Sequence, residues 1–167
     1  MTLPLPPIAG RAPDQIGILV RDLDSALARY EREWGLGPWR GFVYGPDTIP
    51  STSFRGEPGR YRVQIAISGT VPQIELLEAL EGPSIYDEWL AERGEGLHHL
   101  GFWVDSLAAG IADMEAAGYR AVQTGEGYGL DGDGGYAYFD TRERLGVLVE
   151  LIEIPRRRRE PDFVWPR

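Results

Sequence analysis

Four polar side chains of this chain could together do metal chemistry: Gln15, Glu75, His99 and Glu150. One amide oxygen, one imidazole nitrogen and two carboxylates suit a borderline or hard divalent cation, Zn²⁺, Ni²⁺, Co²⁺, Mn²⁺ or Mg²⁺. Each carboxylate is embedded in a strongly apolar run, Ile74–Glu78 in one case and Val149–Glu153 in the other. A carboxylate buried there without a partner costs several kcal/mol or neutralises itself, and two close together are worse unless a cation lies between them. Around a six-coordinate ion, four protein ligands leave two neighbouring positions for water or substrate. Taken singly, each residue has an ordinary explanation: a Glu on a solvated strand edge, a His hydrogen-bonded in the core, a Gln with no role. What sets these four apart is where they fall.

The chain contains itself twice. The segment from Gln15 to Val20 lies over that from His99 to Val104 at an offset of 84 residues, with Gly17 on Gly101, Ile18 on Phe102 and Val20 on Val104. The match runs on without a gap through Leu23 on Leu107, Leu27 on Ile111 and Tyr30 on Met114. Ile74–Glu78 lies over Val149–Glu153 at an offset of 75, so the two copies carry loops of different length. Gln15 and His99 are therefore one repeat-equivalent pair, and Glu75 and Glu150 the other. Alternation along a strand places Ile16, Ile18 and Val20 on one face and Gln15 and Gly17 on the opposite one. The aliphatic face should meet the helices. By the same alternation His98 falls on the helix-facing side, where it would support the site without binding in it.

The elements that must position these residues are legible from periodicity. Leu23, Ala26, Leu27, Tyr30 and Trp34 form the stripe of a core-facing helix, with Asp22 or Asp24 to cap its start and Gly35 its end. Leu107, Ile111 and Met114 repeat the stripe, with Ser106 as cap and Gly118 just beyond. Each half reads strand, helix, loop, then two or three strands, over about residues 13–80 and 96–154. Between them, Pro83 and Ser84 start a linker helix over 84–93, stopped by Gly94. Two stretches, 43–60 and 124–135, read as long loops, the second glycine-dense and suited to a flap over the site. Within it Asp131 and Asp133 lack the later ligands of a calcium loop.

Bulk properties narrow the functional classes. A chain of 167 residues that is 43% hydrophobic and 26% charged has the mix of one folded globular domain, followed by a tail over 155–167. The net charge of −9 repels phosphate backbones, so nucleic acid is an unexpected partner, and the basic run Arg156 to Arg159 is too short to reverse this. With no cysteine there is no disulfide, thiolate ligand or Cys nucleophile. No apolar segment approaches the ~20 residues of a membrane helix, and the first residues lack the pattern of a signal peptide. A cytoplasmic protein acting on a small molecule is the expectation.

The paired halves, the segment from Gly96 to Val104, the segment from Gly135 to Thr141 and the closing run from Val147 to Glu153 resemble the vicinal oxygen chelate superfamily, which holds the glyoxalases, methylmalonyl-CoA epimerases, extradiol dioxygenases and bleomycin-resistance proteins. The stretch from Ile85 to Phe102 looks most like the epimerase branch. The resemblance implies an α+β fold: two tandem βαβββ modules forming a curved, cup-like mixed sheet around a metal site, with helices outside, commonly as a homodimer. It puts the family's four ligand places on Gln15, Glu75, His99 and Glu150. The epimerase pattern has His at the first place; Gln, found here, is accepted in the glyoxalase branch. The epimerases also carry an acid/base carboxylate on the strand aligned with Val63–Ile67, where this chain has Gln64, which cannot shuttle a proton.

The implied chemistry is bidentate binding of two neighbouring substrate oxygens and stabilisation of an enolate, on an α-carbonyl compound or acyl thioester, with Glu150 and Glu75 as the catalytic carboxylates and Glu150 as the base. Tyr44, Arg55, Arg62 and Gln64 are the candidate substrate contacts, the arginines for a carboxylate or phosphate. Two alternatives stand beside an isomerase, epimerase or lyase. One is a non-catalytic binding or resistance protein, favoured by five Trp and eight Tyr but with no need of convergent carboxylates. The other is an extradiol-type dioxygenase, whose two-His, one-carboxylate iron centre Gln15 breaks.

Overall fold

The computed structural model describes residues 6–166. In chain order the elements are β1 (Gln15–Leu19), α1 (Leu23–Trp34), β2 (Trp39–Tyr44), β3 (Ser51–Phe54), β4 (Glu57–Pro58), β5 (Arg62–Ser68), β6 (Gln73–Glu81) and α2 (Ile85–Arg93), then β7 (Gly96–Trp103), α3 (Leu107–Ala116), β8 (Ala121–Tyr128), β9 (Gly134–Phe139), α4 (Arg142–Leu145), β10 (Leu148–Glu153) and β11 (Phe163–Trp165). All strands join one mixed sheet, ordered β11-β2-β5-β6-β1-β7-β10-β9-β8-β3-β4. The first copy supplies β2-β5-β6-β1 and the second β7-β10-β9-β8, which meet where β1 pairs antiparallel with β7. In each copy the first strand runs parallel to the last, β1 beside β6 and β7 beside β10.

The outer helices form where the sequence places them. Asp22 Oδ1 accepts from Ser25 N at 2.7 Å, and Gly35 closes α1 at φ 65°, in the left-handed region a glycine enters without strain. Ser106 Oγ does the same for α3, accepting from Ala109 N at 3.3 Å. A second carboxylate at each start comes from the sheet. Glu78 accepts from Leu23 N at 2.9 Å and Glu153 from Leu107 N at 2.7 Å, so the second Glu of each repeated strand satisfies a free N–H of its own module's helix. Each helix then covers one half of the same sheet face: Leu23, Ala26 and Leu27 pack with Ala66 and Leu76, while Leu107 and Met114 pack with Phe139, Val149 and Leu151.

The opposite face holds the third core cluster, which includes Leu19, Val63, Leu77, Tyr136 and Tyr138. Ile85, Tyr86 and Trp89 of α2 belong to it, so the linker helix packs on this inner face while α1 and α3 lie outside. The two stretches read as loops contain strand: the first in part, the second for the most part. Residues 43–60 carry the end of β2 and the β3–β4 hairpin, which leaves its own module and pairs with β8 at the far edge. Residues 124–135 are mainly the β8–β9 hairpin, with only a short turn at 129–133. Its glycines serve close packing rather than mobility: a Cβ on Gly125 would lie 2.5 Å from the Tyr136 ring, and one on Gly134 2.7 Å from that of Tyr128. Asp131 and Asp133 bind Arg157 and Arg156 of the tail. No helix among the described residues is long and apolar enough to cross a membrane.

Candidate metal centre

The β1–β7 pairing is a small pseudo-twofold: Gln15 stands opposite Gly101, and Gly17 opposite His99. Across the parallel pairs, Gly17 neighbours Glu75 and Gly101 neighbours Glu150. Each glycine is thus flanked by one residue of each repeat-equivalent pair, and the four side chains close over two positions that have none. A Cβ on Gly17 would sit 1.9 Å from His99 Cε1, inside the ring's own space, whereas one on Gly101 would come 3.1 Å from Gln15. Gly17→Ala is therefore expected to expel the imidazole, destabilising the fold by about 1–3 kcal/mol. Gly101→Ala should be much milder; denaturation midpoints and metal content of the two variants check this.

His99 Nε2 faces three oxygens from three other strands: Glu150 Oε2 at 3.0 Å, Glu75 Oε2 at 3.4 Å and Gln15 Oε1 at 3.4 Å. Ligands held about 2.0–2.2 Å from one ion stand about 3.0–3.5 Å from one another, so the spacing suits a divalent cation. All four residues are buried, between 0% and 5% exposed. Glu150 Oε2 has no hydrogen-bond partner despite its closeness to the imidazole, an orphaned acceptor aimed where a cation would sit. The donor set fits such an ion and could hold one.

Electrostatics say the same. Burial disfavours a charged His99, but Glu150 and Glu75 outweigh it and hold the imidazole up at about 9. Burial raises the Glu75 carboxyl, against the pull of His99 and with the push of Glu150. His98 is driven far down by burial, by His99 and by Arg142. Without metal, a proton on His99 is the counter-ion of the two carboxylates. The raised His99 stabilises the fold fully below its unfolded value near 6.5, and that contribution, at most about 3 kcal/mol, is lost as pH rises through 9. The depressed His98 acts oppositely and withdraws stability as pH falls below about 6.5. Chelator-treated protein is expected to melt several degrees lower at pH 9 than at pH 6.5. Metal-loaded protein should not show the alkaline loss.

His98 does face a helix, though α2 on the inner side and not α3. The register between β1 and β7 slips at Gly17/Ile18, leaving His98 unpaired in a bulge, and alternation fails there. Its ring packs against Trp89, Tyr86 and Tyr138, and its Nδ1 lies 3.0 Å from His99 Nδ1.

A cavity of about 90 Å³ opens beside the four residues, bordered by Gln15, Glu75 and Glu150 and walled by aliphatic side chains and by tyrosines, among them Tyr44, Tyr128, Tyr136 and Tyr138. Of the expected substrate contacts only Tyr44 lines it. Gln64 does not: Val63, Ile65 and Ile67 line the cavity, and alternation turns Gln64 away. Arg55 is bound to Glu88, with Nε–Oε1 and Nη2–Oε2 both 2.6 Å. Arg62 reaches Asp47 at 3.2 Å and Glu81 at 3.5 Å. Neither arginine borders the cavity; Arg158 and Arg159 of the tail do. Gln73 also lines it, two residues before Glu75 on the same face, a position alternation could have found. Nothing in the sequence told how the tail would run.

A cup-shaped α+β sheet of two repeated modules, with Glu, His and Glu converging at their junction, defines a class. Residues 14–139 match the model of the glyoxalase/bleomycin resistance protein/dioxygenase superfamily, and the chain belongs to that family. A protein of Bacillus subtilis (strain 168), YqjC, is 31% identical over 142 residues, covering 84% of this chain and 90% of that protein. Methylmalonyl-CoA epimerase from Mycobacterium tuberculosis is similar in structure, with TM-score 0.62 and 25% identity over 86% of this chain and 88% of its own. Protein BH1468 from Bacillus halodurans C-125 superimposes with TM-score 0.63 and 25% identity, covering 89% of this chain and 97% of that one.

Proposed function

We propose that the protein is a divalent-metal-dependent isomerase, epimerase or lyase acting on a small α-carbonyl compound or acyl thioester, with Gln15, Glu75, His99 and Glu150 as metal ligands. The observation that carries this reading is the meeting of one imidazole nitrogen with three buried oxygens from separate strands, one of them without a hydrogen bond. A bound divalent ion supplies a Lewis acid to the carbonyl oxygen of a substrate. The chain supplies the rest. Gln15 brings a neutral donor, so the site carries two carboxylates and not three. Glu150, partly leaving the metal, takes the proton from the carbon beside the carbonyl, and Glu75, the second buried carboxylate of the site, is placed to return one. The cavity's 90 Å³ takes in a small reacting group and leaves the bulk of a larger substrate at the mouth.

The similarity to methylmalonyl-CoA epimerase supports acyl thioesters as the first substrates to try. The test is metal content by elemental mass spectrometry on untagged protein, followed by uptake of deuterium from D₂O at the α-carbon of methylmalonyl-CoA and of glutathione adducts of α-ketoaldehydes. About one ion per chain with metal-dependent exchange is the expected result. Metal without exchange on any such carbon acid would refute the catalytic reading. The largely apolar cavity favours a second one, a binding protein for a small molecule, which predicts saturable quenching of intrinsic fluorescence without turnover.

A further inference from the structure

The tail contains four consecutive arginines, and three are neutralised. Arg156 Nε lies 2.7 Å from Asp133, Arg157 is paired with Asp131, and Arg159 binds Asp162 through two contacts of 2.8 Å while donating to Val43 O at 2.8 Å. Arg158 has no carboxylate partner among the described residues, is exposed, and lines the cavity mouth. Its backbone is not free to wander. Arg157 O accepts from Leu130 N at 2.9 Å on one side, and on the other Asp162 N donates to Gly41 O at 2.8 Å before β11 joins β2. The tail thus runs from the second module's last strand to the first module's edge and is tied down on both sides of residue 158. The charge of Arg158 acts on the phenols of Tyr44 and Tyr128, two rings of the cavity wall.

We propose that Arg158 is the specificity-determining residue of this cavity, selecting substrates that carry a carboxylate or phosphate outside the reacting centre. This rests on the reading above that the cavity is where substrate sits. The cavity floor has two carboxylates, and the chain carries a net charge of −9, a setting that repels anions. An unpaired guanidinium carried at the rim on a tied-down backbone reverses that locally, and its N–H donors match a carboxylate or phosphate. The small cavity leaves the substrate's outlying part at the mouth, beside that cation.

The test is calorimetric titration of malonate, inorganic phosphate and uncharged malonamide into the native protein, R158A, R158K and R156A, each with zinc and after EDTA treatment. R158A is expected to weaken the preferred anion about tenfold, in keeping with one lost charge-assisted contact. R158K should recover part of that, and R156A should match the native protein. Malonamide should not respond. Loss confined to malonate identifies a carboxylate as the selected group, and loss confined to phosphate a phosphoryl group. Native-like anion affinity in R158A, equal losses for malonate and malonamide, or no anion binding to native protein would each overturn the proposal. Failure to retain zinc, with the anion contrast persisting in EDTA-treated protein, would instead refute the metal reading and leave this one standing.

Discussion

His99→Ala should abolish stoichiometric metal binding while leaving the protein folded, and no other single truncation should match it. His99 Nε2 is the atom from which the other three donors are 3.0, 3.4 and 3.4 Å away, so removing it takes out the centre of the set. Two buried carboxylates and an amide remain, which leaves a weak oxygen site. The fold is expected to survive at reduced stability, because the ring lies over Gly17 and outside the clusters under α1 and α3, although it packs on His98 and Tyr138. Equilibrium dialysis against Zn²⁺ is expected to show about one ion per native chain and less than about a tenth of that in the variant. Circular dichroism should be native-like in both. Thermal stabilisation by saturating Zn²⁺, which follows from an ion that binds only the folded state, should appear in the native protein and vanish in the variant. Retention of a full equivalent in His99→Ala would remove His99 from the ligand set.

The pairing of the modules was legible because a pseudo-twofold writes itself into a sequence as an offset. Gln15 over His99 and Gly17 over Gly101 are the same two pairs that face each other crosswise between β1 and β7. The outer helices were legible because their stripes, caps and glycine stops are local. What the sequence did not disclose was long-range or irregular. The bulge at His98 breaks alternation through a register slip that no propensity signals. Glycines at 125, 134 and 135 looked like a flexible flap, but closeness to tyrosine rings, not freedom of the backbone, explains the first two. Arg55 and Arg62 were reasonable anion contacts by type, yet each is held by carboxylates away from the cavity, while the tail brings Arg158 to its mouth. Charge type is written in a sequence; which charge is left uncompensated depends on partners far along the chain, at separations such as 26 residues for Arg157 and Asp131.

Glu150→Gln is expected to separate holding the ion from moving the proton. The substitution keeps an oxygen donor of the same length in the same strand, and Gln15 is already an amide ligand in the proposed set. Metal content should therefore fall modestly, whereas an amide cannot accept the proton that leaves carbon. Loss of a positioned general base removes about 10²–10⁴ in rate. The same change at Glu75 tests the division of labour. Its carboxyl is the second buried one at the centre, and it lies 3.4 Å from Nε2 against 3.0 Å for Glu150. Glu75→Gln should therefore keep the exchange of the α-proton with solvent deuterium while slowing the return step that completes epimerisation. Glu150→Gln should stop both when the reaction starts from the epimer whose proton Glu150 removes. Deuterium exchange measured alongside product formation distinguishes the two variants, with bound metal determined on the same samples. Native exchange rates in metal-loaded Glu150→Gln would exclude Glu150 as the base; equal loss of exchange in both variants would mean that the two carboxylates act as one unit.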